Sequence, residues 1–269
     1  MSTVTPLTAY LDGVGLLGPG LPDWPAAAGV LSGATRWEYA PTVLPVPQSL
    51  PSAERRRTGA LVRLTLAVGL EATARAGADP AGLPAVFTSS GGDGPNCHEI
   101  CQVLASADRQ LSPTRFHNSV HNAAAGYWGI ATGATPASSA LCAHDASFAA
   151  GLLEALCQVA VQRTSVLLIA YDASYPEPLH SIRPIPAAFG VALVLAPAAG
   201  AASLARLEVC WSAAHADRLA EDALEALRGS IPAARSLPLL ERLARRAWGS
   251  VVIDYLDASG LAVEVSACR

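Results

Sequence analysis

The sequence predicts an α/β layered fold, and three observations carry that prediction. Apolar runs of strand length alternate with longer stretches of helical period, joined by short turn-rich links. Two of the runs, residues 165–171 and 189–195, are almost continuously apolar, as strands covered on both faces are. Hydrophobic residues make up 51% of the 269 positions and charged residues only 15%. That is ample for one well-buried core, so residues 1–269 are expected to form a single domain, with no internal repeat and no low-complexity linker to divide it.

Residues 8–17 read as a strand with a Gly-rich exit at 15–20. Residues 23–51 are proline-rich and aperiodic, and are expected to be a long surface excursion. Residues 52–76 read as one helix: Ser52 can cap it, and Leu61, Leu64, Val68 and Ala72 share a face. A short apolar strand at 84–90 runs into Ser89-Ser90-Gly91-Gly92-Asp93-Gly94, and a short helix is expected at 96–107. Residues 112–132 begin irregularly and become a small-residue helix from Ala123. A strand at 137–141 leads to Cys142, and a strongly apolar helix follows at 148–161. After the two covered strands, another strand is expected at 204–211, helices around 216–227 and 237–247, and a hairpin over 251–265 that turns at 257–260.

Several function classes are excluded. The net charge is −4 and the chain has no Lys/Arg block of the kind that nucleic-acid binding uses. No apolar stretch of 18 residues runs uninterrupted, so no membrane span is expected. Residues 1–10 lack the basic start and apolar run of a signal segment. Cys97, Cys101, Cys142, Cys157, Cys210 and Cys268 show no disulfide-framework spacing. A reduced, cytoplasmic protein is the expectation, and so apolar a chain is expected to hide part of its surface against a partner.

Few residue constellations carry chemistry. The turn at 89–94 has a strand before it and a helix after it, the context of phosphate loops. Its spacing fits neither known phosphate motif and Asp93 would repel an anion, so a tight turn is the better reading. Cys97 and Cys101, with His98 between them, lie one helical turn apart, as do His117 and His121. Neither pair has the spacing or the companion ligands of a zinc site, and no metal or cofactor is expected. Cys142 lies between a strand and the expected start of a buried helix, where a thiol is acidified and acyl-transfer nucleophiles sit. A nucleophile needs a base, and the histidines that follow, His144, His180 and His215, lie in no turn that would hold one rigidly over the thiol.

Taken in order, several segments resemble the N-terminal half of a β-ketoacyl synthase. They are the Gly13-Val14-Gly15-Leu16 strand, the Glu54-Arg55-Arg56-Arg57 helix start and the strand ending at Ser89-Ser90-Gly91. Ser112-Pro113-Thr114-Arg115-Phe116 and Asn122-Ala123-Ala124-Ala125-Gly126 follow, then the strand into Cys142 where that family keeps its T-A-C nucleophile. The resemblance covers residues 8–196 and implies a thiolase-like fold of helices around a mixed sheet, truncated relative to a full ketosynthase. Leu141-Cys142-Ala143-His144 replaces the family's nucleophile sequence. Beyond residue 200 the family's H-G-T-G-T-type histidine, its lysine, its second histidine and its closing glycine-rich loop are all missing.

This pattern is similar to chain-length factors of type II polyketide and aryl polyene systems. The resemblance implies a non-catalytic subunit in a heterodimer with an active ketosynthase, with an acyl carrier protein as a further partner. By the same resemblance, Ala137, Ser138, Ser139, Ala140 and Leu141 pair across the dimer axis. Arg115, Phe116, His117, Val120, His121 and Asn122 reach the partner's acyl tunnel. The rival reading is a free-standing condensing or acyl-transfer enzyme that uses Cys142.

Overall fold

The computed structural model describes residues 6–268. Residues 1–5, part of the segment read for a signal, lie outside it. One eight-stranded mixed sheet runs through the described residues in the order β3-β2-β4-β5-β1-β6-β8-β7. In chain order the elements are β1 (Leu7–Leu17), α1 (Trp24–Leu31), α2 (Ser52–Arg55), α3 (Ala60–Ala76), β2 (Ala85–Thr88), α4 (Gly94–Ala105), α5 (Pro113–His117), α6 (Ala123–Thr132), β3 (Ser138–Leu141), α7 (Ser147–Gln162) and β4 (Val166–Asp172). They continue with α8 (Leu179–Ile182), β5 (Phe189–Ala196), β6 (Ala205–Ser212), α9 (Asp222–Ser230), α10 (Leu237–Arg245), β7 (Gly249–Asp254) and β8 (Gly260–Ser266).

The sheet is filled from both faces. On one face α7 lies along β4, β2 and β1, with α1, α9, α10 and a 3-10 segment at Pro232–Ser236 beside it. Leu152, Leu156, Leu168, Val191 and Leu193 belong to that core. On the other face α3 crosses β1, β5 and β4, and α6 packs on α3. Leu64, Val68, Phe87, Trp128, Ile169 and Tyr171 fill that second core. All residues of β4 and of β5 are buried, which explains their continuous apolar runs.

Glycines set the distance between β1 and α3. A Cβ on Gly15 would lie 2.0 Å from the Val68 carbonyl oxygen, and one on Gly13 would lie 2.2 Å from that of Ala72. The helix therefore rests directly on the strand backbone.

Two expectations are corrected here. Residues 24–31 are helical, with Pro25 in the first turn and the Asp23 carboxylate accepting the Ala26 N–H at 2.8 Å. Only the stretch from 32 to 51 is an irregular excursion. The helix expected at 52–76 is two helices, because Gly59 is extended (φ −77, ψ 179) and starts α3 afresh. The turn at 89–94 is the strand-to-helix link expected of it: Asp93 caps α4 by accepting the Asn96 N–H at 3.1 Å.

Candidate functional site

The strands β3, β2 and β4 run parallel, so their C-terminal ends meet at one end of the sheet. Asp172 closes β4 there, fully buried. Its Oδ1 accepts the Ser90 N–H at 2.8 Å and the Ser90 hydroxyl at 2.6 Å; its Oδ2 accepts the Ala233 N–H at 2.9 Å. Burial pushes this carboxyl up to about 6, against the pull of those three hydrogen bonds. The Ser90 hydroxyl also lies 3.3 Å from the Tyr175 hydroxyl. Cys142 donates its thiol hydrogen to the Ser90 carbonyl oxygen at 3.1 Å.

Cys142 does not sit where a helix-activated nucleophile would. It is exposed, and α7 begins only at Ser147. A 3-10 turn at His144–Ala146 fills the gap, and His144 adopts a left-handed backbone conformation (φ 51). The helix start expected at residue 148 is met within one residue, and the helix N-terminus expected to acidify Cys142 lies five residues beyond it. Its neighbouring imidazole is committed elsewhere: Arg183 donates to Nε2 of His144 at 2.6 Å, and Nδ1 lies 3.6 Å from Asp145. Asp145 is gripped by Arg183 at 2.7 Å and Arg235 at 3.1 Å. Burial pushes the Asp145 carboxyl upward, but the Arg183 hydrogen bond and the charges of Arg235 and Arg183 outweigh it and hold the group below the usual range. His180 lies in α8 and His215 in an exposed loop.

The residues at 115–122 gather on a different surface. Arg115 pairs with Glu99 at 3.2 Å, and its carbonyl oxygen accepts from the Asn96 amide at 2.9 Å. Asn118 links this loop to its surroundings, donating to the Arg57 carbonyl oxygen at 2.9 Å and accepting from the Tyr127 hydroxyl at 3.1 Å. Phe116 is 66% exposed, Val120 53% and Ile130 48%. With His117, Asn122 and Tyr127 they line an apolar cleft of about 510 Å³. A second cleft of about 760 Å³ is more polar, with Arg56, Arg57, Asp93, Asn96, Arg115 and Asn118 in its walls. His121 and Val120 face the narrow gap between the two. Cys142 is in the wall of neither cleft.

β3 is the outermost strand of the sheet, paired only with β2. The Ala137 and Leu141 carbonyl oxygens accept from Ala85 and Ser89 of the β2 chain at 3.2 and 3.3 Å. Alternation along a strand then turns the backbone groups of Ser138 and Ala140 to the open edge. α6, which carries Ile130, packs beside β3. The open edge and the exposed apolar residues are therefore neighbours.

The cysteine and histidine pairs gather no ligand set. Among the described residues no cluster of three or more His, Cys, Asp or Glu side chains is arranged to hold a metal. Cys97 and Cys101 are exposed on α4, and burial with the charge of Asp93 raises the Cys97 thiol. No helix among the described residues is long and apolar enough to cross a membrane. Sequence reasoning missed Asp172, Tyr175, Arg183 and Arg235. The signal for the first was a carboxylate ending a wholly apolar strand.

The β-ketoacyl synthase N-terminal domain family matches residues 32–249, and the chain belongs to that family. No curated protein matches the sequence. Among solved structures, the fold is that of a chain in the complex of the ketosynthase ApeO with its chain length factor ApeC from Xenorhabdus doucetiae. The TM-score is 0.72 at 24% identity, over 97% of this chain and all of that one. A type II polyketide synthase acyl-carrier protein in complex with its ketosynthase bound to the hexaketide (AntDE with AntF) gives 0.73 at 11% identity, over 98% and 100%. The ketosynthase from module 1 of the bacillaene synthase of Bacillus amyloliquefaciens gives 0.55 at 12% identity, over 79% of this chain but only 47% of that one. The fold is thus thiolase-like and shorter than that of the larger ketosynthases, as the sequence implied.

Proposed function

We propose that this chain is a non-catalytic, chain-length-factor-like subunit that pairs with an active ketosynthase in polyketide, aryl polyene or fatty-acid-like synthesis. The observation that carries the reading is the open edge of β3 lying next to the exposed apolar residues Phe116, Val120 and Ile130. An unpaired strand edge and an apolar patch are each a liability in an isolated chain and an asset in an interface. The commitment of His144 to Arg183 and Asp145 supports the non-catalytic half of the reading, since it leaves Cys142 without that base. The complex of a ketosynthase with its chain length factor among the similar structures supports the choice of partner.

In this reading Ala137–Leu141 forms the interface strand, with Arg115, Phe116, His117, Val120, His121 and Asn122 at the wall of the partner's acyl tunnel. An acyl carrier protein is a further partner.

Co-expression with the ketosynthases of the same genome tests the pairing. A tagged ketosynthase is expected to retain this chain. Ala140→Pro removes an N–H that faces the open edge and none that bonds β2, so it is expected to abolish retention without unfolding the chain. A chain that remains a monodisperse monomer and binds no ketosynthase overturns the proposal. So does one whose Cys142 takes up an acyl group from a thioester donor unaided.

A further inference from the structure

The two edges of the sheet are not alike. β3 ends it on one side, with the backbone groups of Ser138 and Ala140 turned outward and bonded to nothing among the described residues. β7 ends it on the other side, and Val252 lies at the middle of that edge. Both backbone groups of Val252 are taken. Its N–H donates to Oδ2 of Asp217 at 2.7 Å, and its carbonyl oxygen accepts the Asp217 N–H at 2.8 Å. One residue thus answers both groups as a neighbouring strand would. Asp217 reaches that place from two strands away. The chain leaves β6 at Ser212, and β8 lies between β6 and β7. The segment passes Gly260 at the start of β8, where a Cβ would lie 3.4 Å from the Ala214 carbonyl oxygen. Beyond Asp217 it turns into the core at Leu219, which is buried and donates its N–H to Glu225 at 3.0 Å. Arg228 holds Glu225 in turn, at 2.6 and 2.7 Å. The segment that carries Asp217 is therefore anchored.

We infer that Asp217 plugs the β7 edge against strand addition by a second copy of this chain. An unbonded edge accepts an extended segment of almost any sequence, because backbone groups make the bonds. A sheet with two free edges can extend at both ends, and copies joined edge to edge build an open array rather than a closed pair. With Val252 occupied, β3 is the edge left to pair among the described residues, and each chain takes one partner. A carboxylate suits the task. It satisfies the N–H of Val252 and also places on the edge a charge that an incoming strand would have to strip of water. The plug acts whichever chain pairs with β3, so it does not rest on the ketosynthase reading.

Light scattering after gel filtration tests the inference. The variants are built on Ala140→Pro, which takes the β3 edge out of play, and repeated in the unsubstituted chain. Each mass is read against its own parent, so association through any other surface is common to all the chains compared. Asp217→Pro removes the carboxylate and the N–H together. It is expected to convert the Ala140→Pro parent into a species of about twice its mass, increasingly so with concentration. Asp217→Ala removes the carboxylate alone and is expected to move the mass the same way to a smaller extent. It keeps the test decisive if the proline variant fails to fold. Adding Val252→Pro deletes the freed N–H and no bond to β8, and is expected to restore the parent's mass. That reversal separates edge pairing from association of a loosened chain. No gain in mass in any folded Asp217 variant, or a gain that Val252→Pro does not reverse, overturns the inference.

Discussion

One carboxylate oxygen of Asp172 receives both the backbone N–H and the hydroxyl of Ser90, at 2.8 and 2.6 Å, and so ties the end of β4 to the turn that follows β2. Burial nevertheless raises this group from 3.8 to about 6. An acid whose folded-state pKa lies above its unfolded value favours the fold while protonated. Its contribution is therefore present below about pH 4, is lost as the pH rises through 6, and is flat beyond. The difference is on the order of 2–3 kcal/mol. Melting curves of wild type and Asp172→Asn between pH 4 and 7 measure it. The wild type is expected to be relatively more stable at pH 4 than at pH 7, and an advantage independent of pH would contradict the assignment.

The contact of β1 with α3 makes a second prediction. A methyl group at Gly15 would lie 2.0 Å from a backbone oxygen that cannot move without bending the helix. Gly15→Ala is expected to destabilise the chain by about 3 kcal/mol, lowering its melting temperature by roughly 6–12 °C. Gly126, inside α6, meets nothing within 4 Å. Gly126→Ala is expected to raise stability by about 0.5–1 kcal/mol. Thermal unfolding of the two variants side by side checks both signs.

Cys142→Ala is expected to leave condensation by an assembled ketosynthase complex nearly intact. Replacing a true nucleophile costs many orders of magnitude in rate. Single-turnover assays on complexes of verified stoichiometry decide the matter, and abolished activity at normal assembly would sink the non-catalytic reading.

Phe116→Ala is expected to shift products to longer chains without slowing the first condensation. Forcing one more unit against a packed wall costs roughly 1–3 kcal/mol, and vacated volume rewards each buried methylene with about 0.8 kcal/mol. Mass spectrometry of carrier-bound products separates this from simple destabilisation, which would reduce the total and leave lengths unchanged.

Much of the fold was legible because β4 and β5 advertise burial in every residue, and because the 3.6-residue stripe of α3 is explicit. What escaped did so for local reasons. α1 hides in a proline-rich stretch, though Asp23 before Trp24-Pro25 is a capping signal that would have found it. The break at Gly59 separates a short polar helix, α2, from the apolar-periodic α3, and nothing between them but that glycine marks the boundary. Around Cys142 the strand and helix bounds were legible to within a residue, but the 3-10 turn with its left-handed His144 that links them is one that no periodicity reports. The start of the 112–132 stretch was read as irregular, whereas Ser112 caps a short helix over Pro113–His117. The ion pairs of Arg183 and Arg235 with Asp145 join segments 38 and 90 residues apart, which spacing alone does not bring together.

The open edge of β3 has a consequence for selectivity. Backbone amides are the same in every protein, so an edge recruits strands without telling one from another. In the proposed pairing, discrimination among ketosynthases then falls to exposed side chains near the edge, and Phe116, Val120 and Ile130 are the candidates. Exchanging these three residues between relatives would transfer partner choice while the strand itself stays untouched.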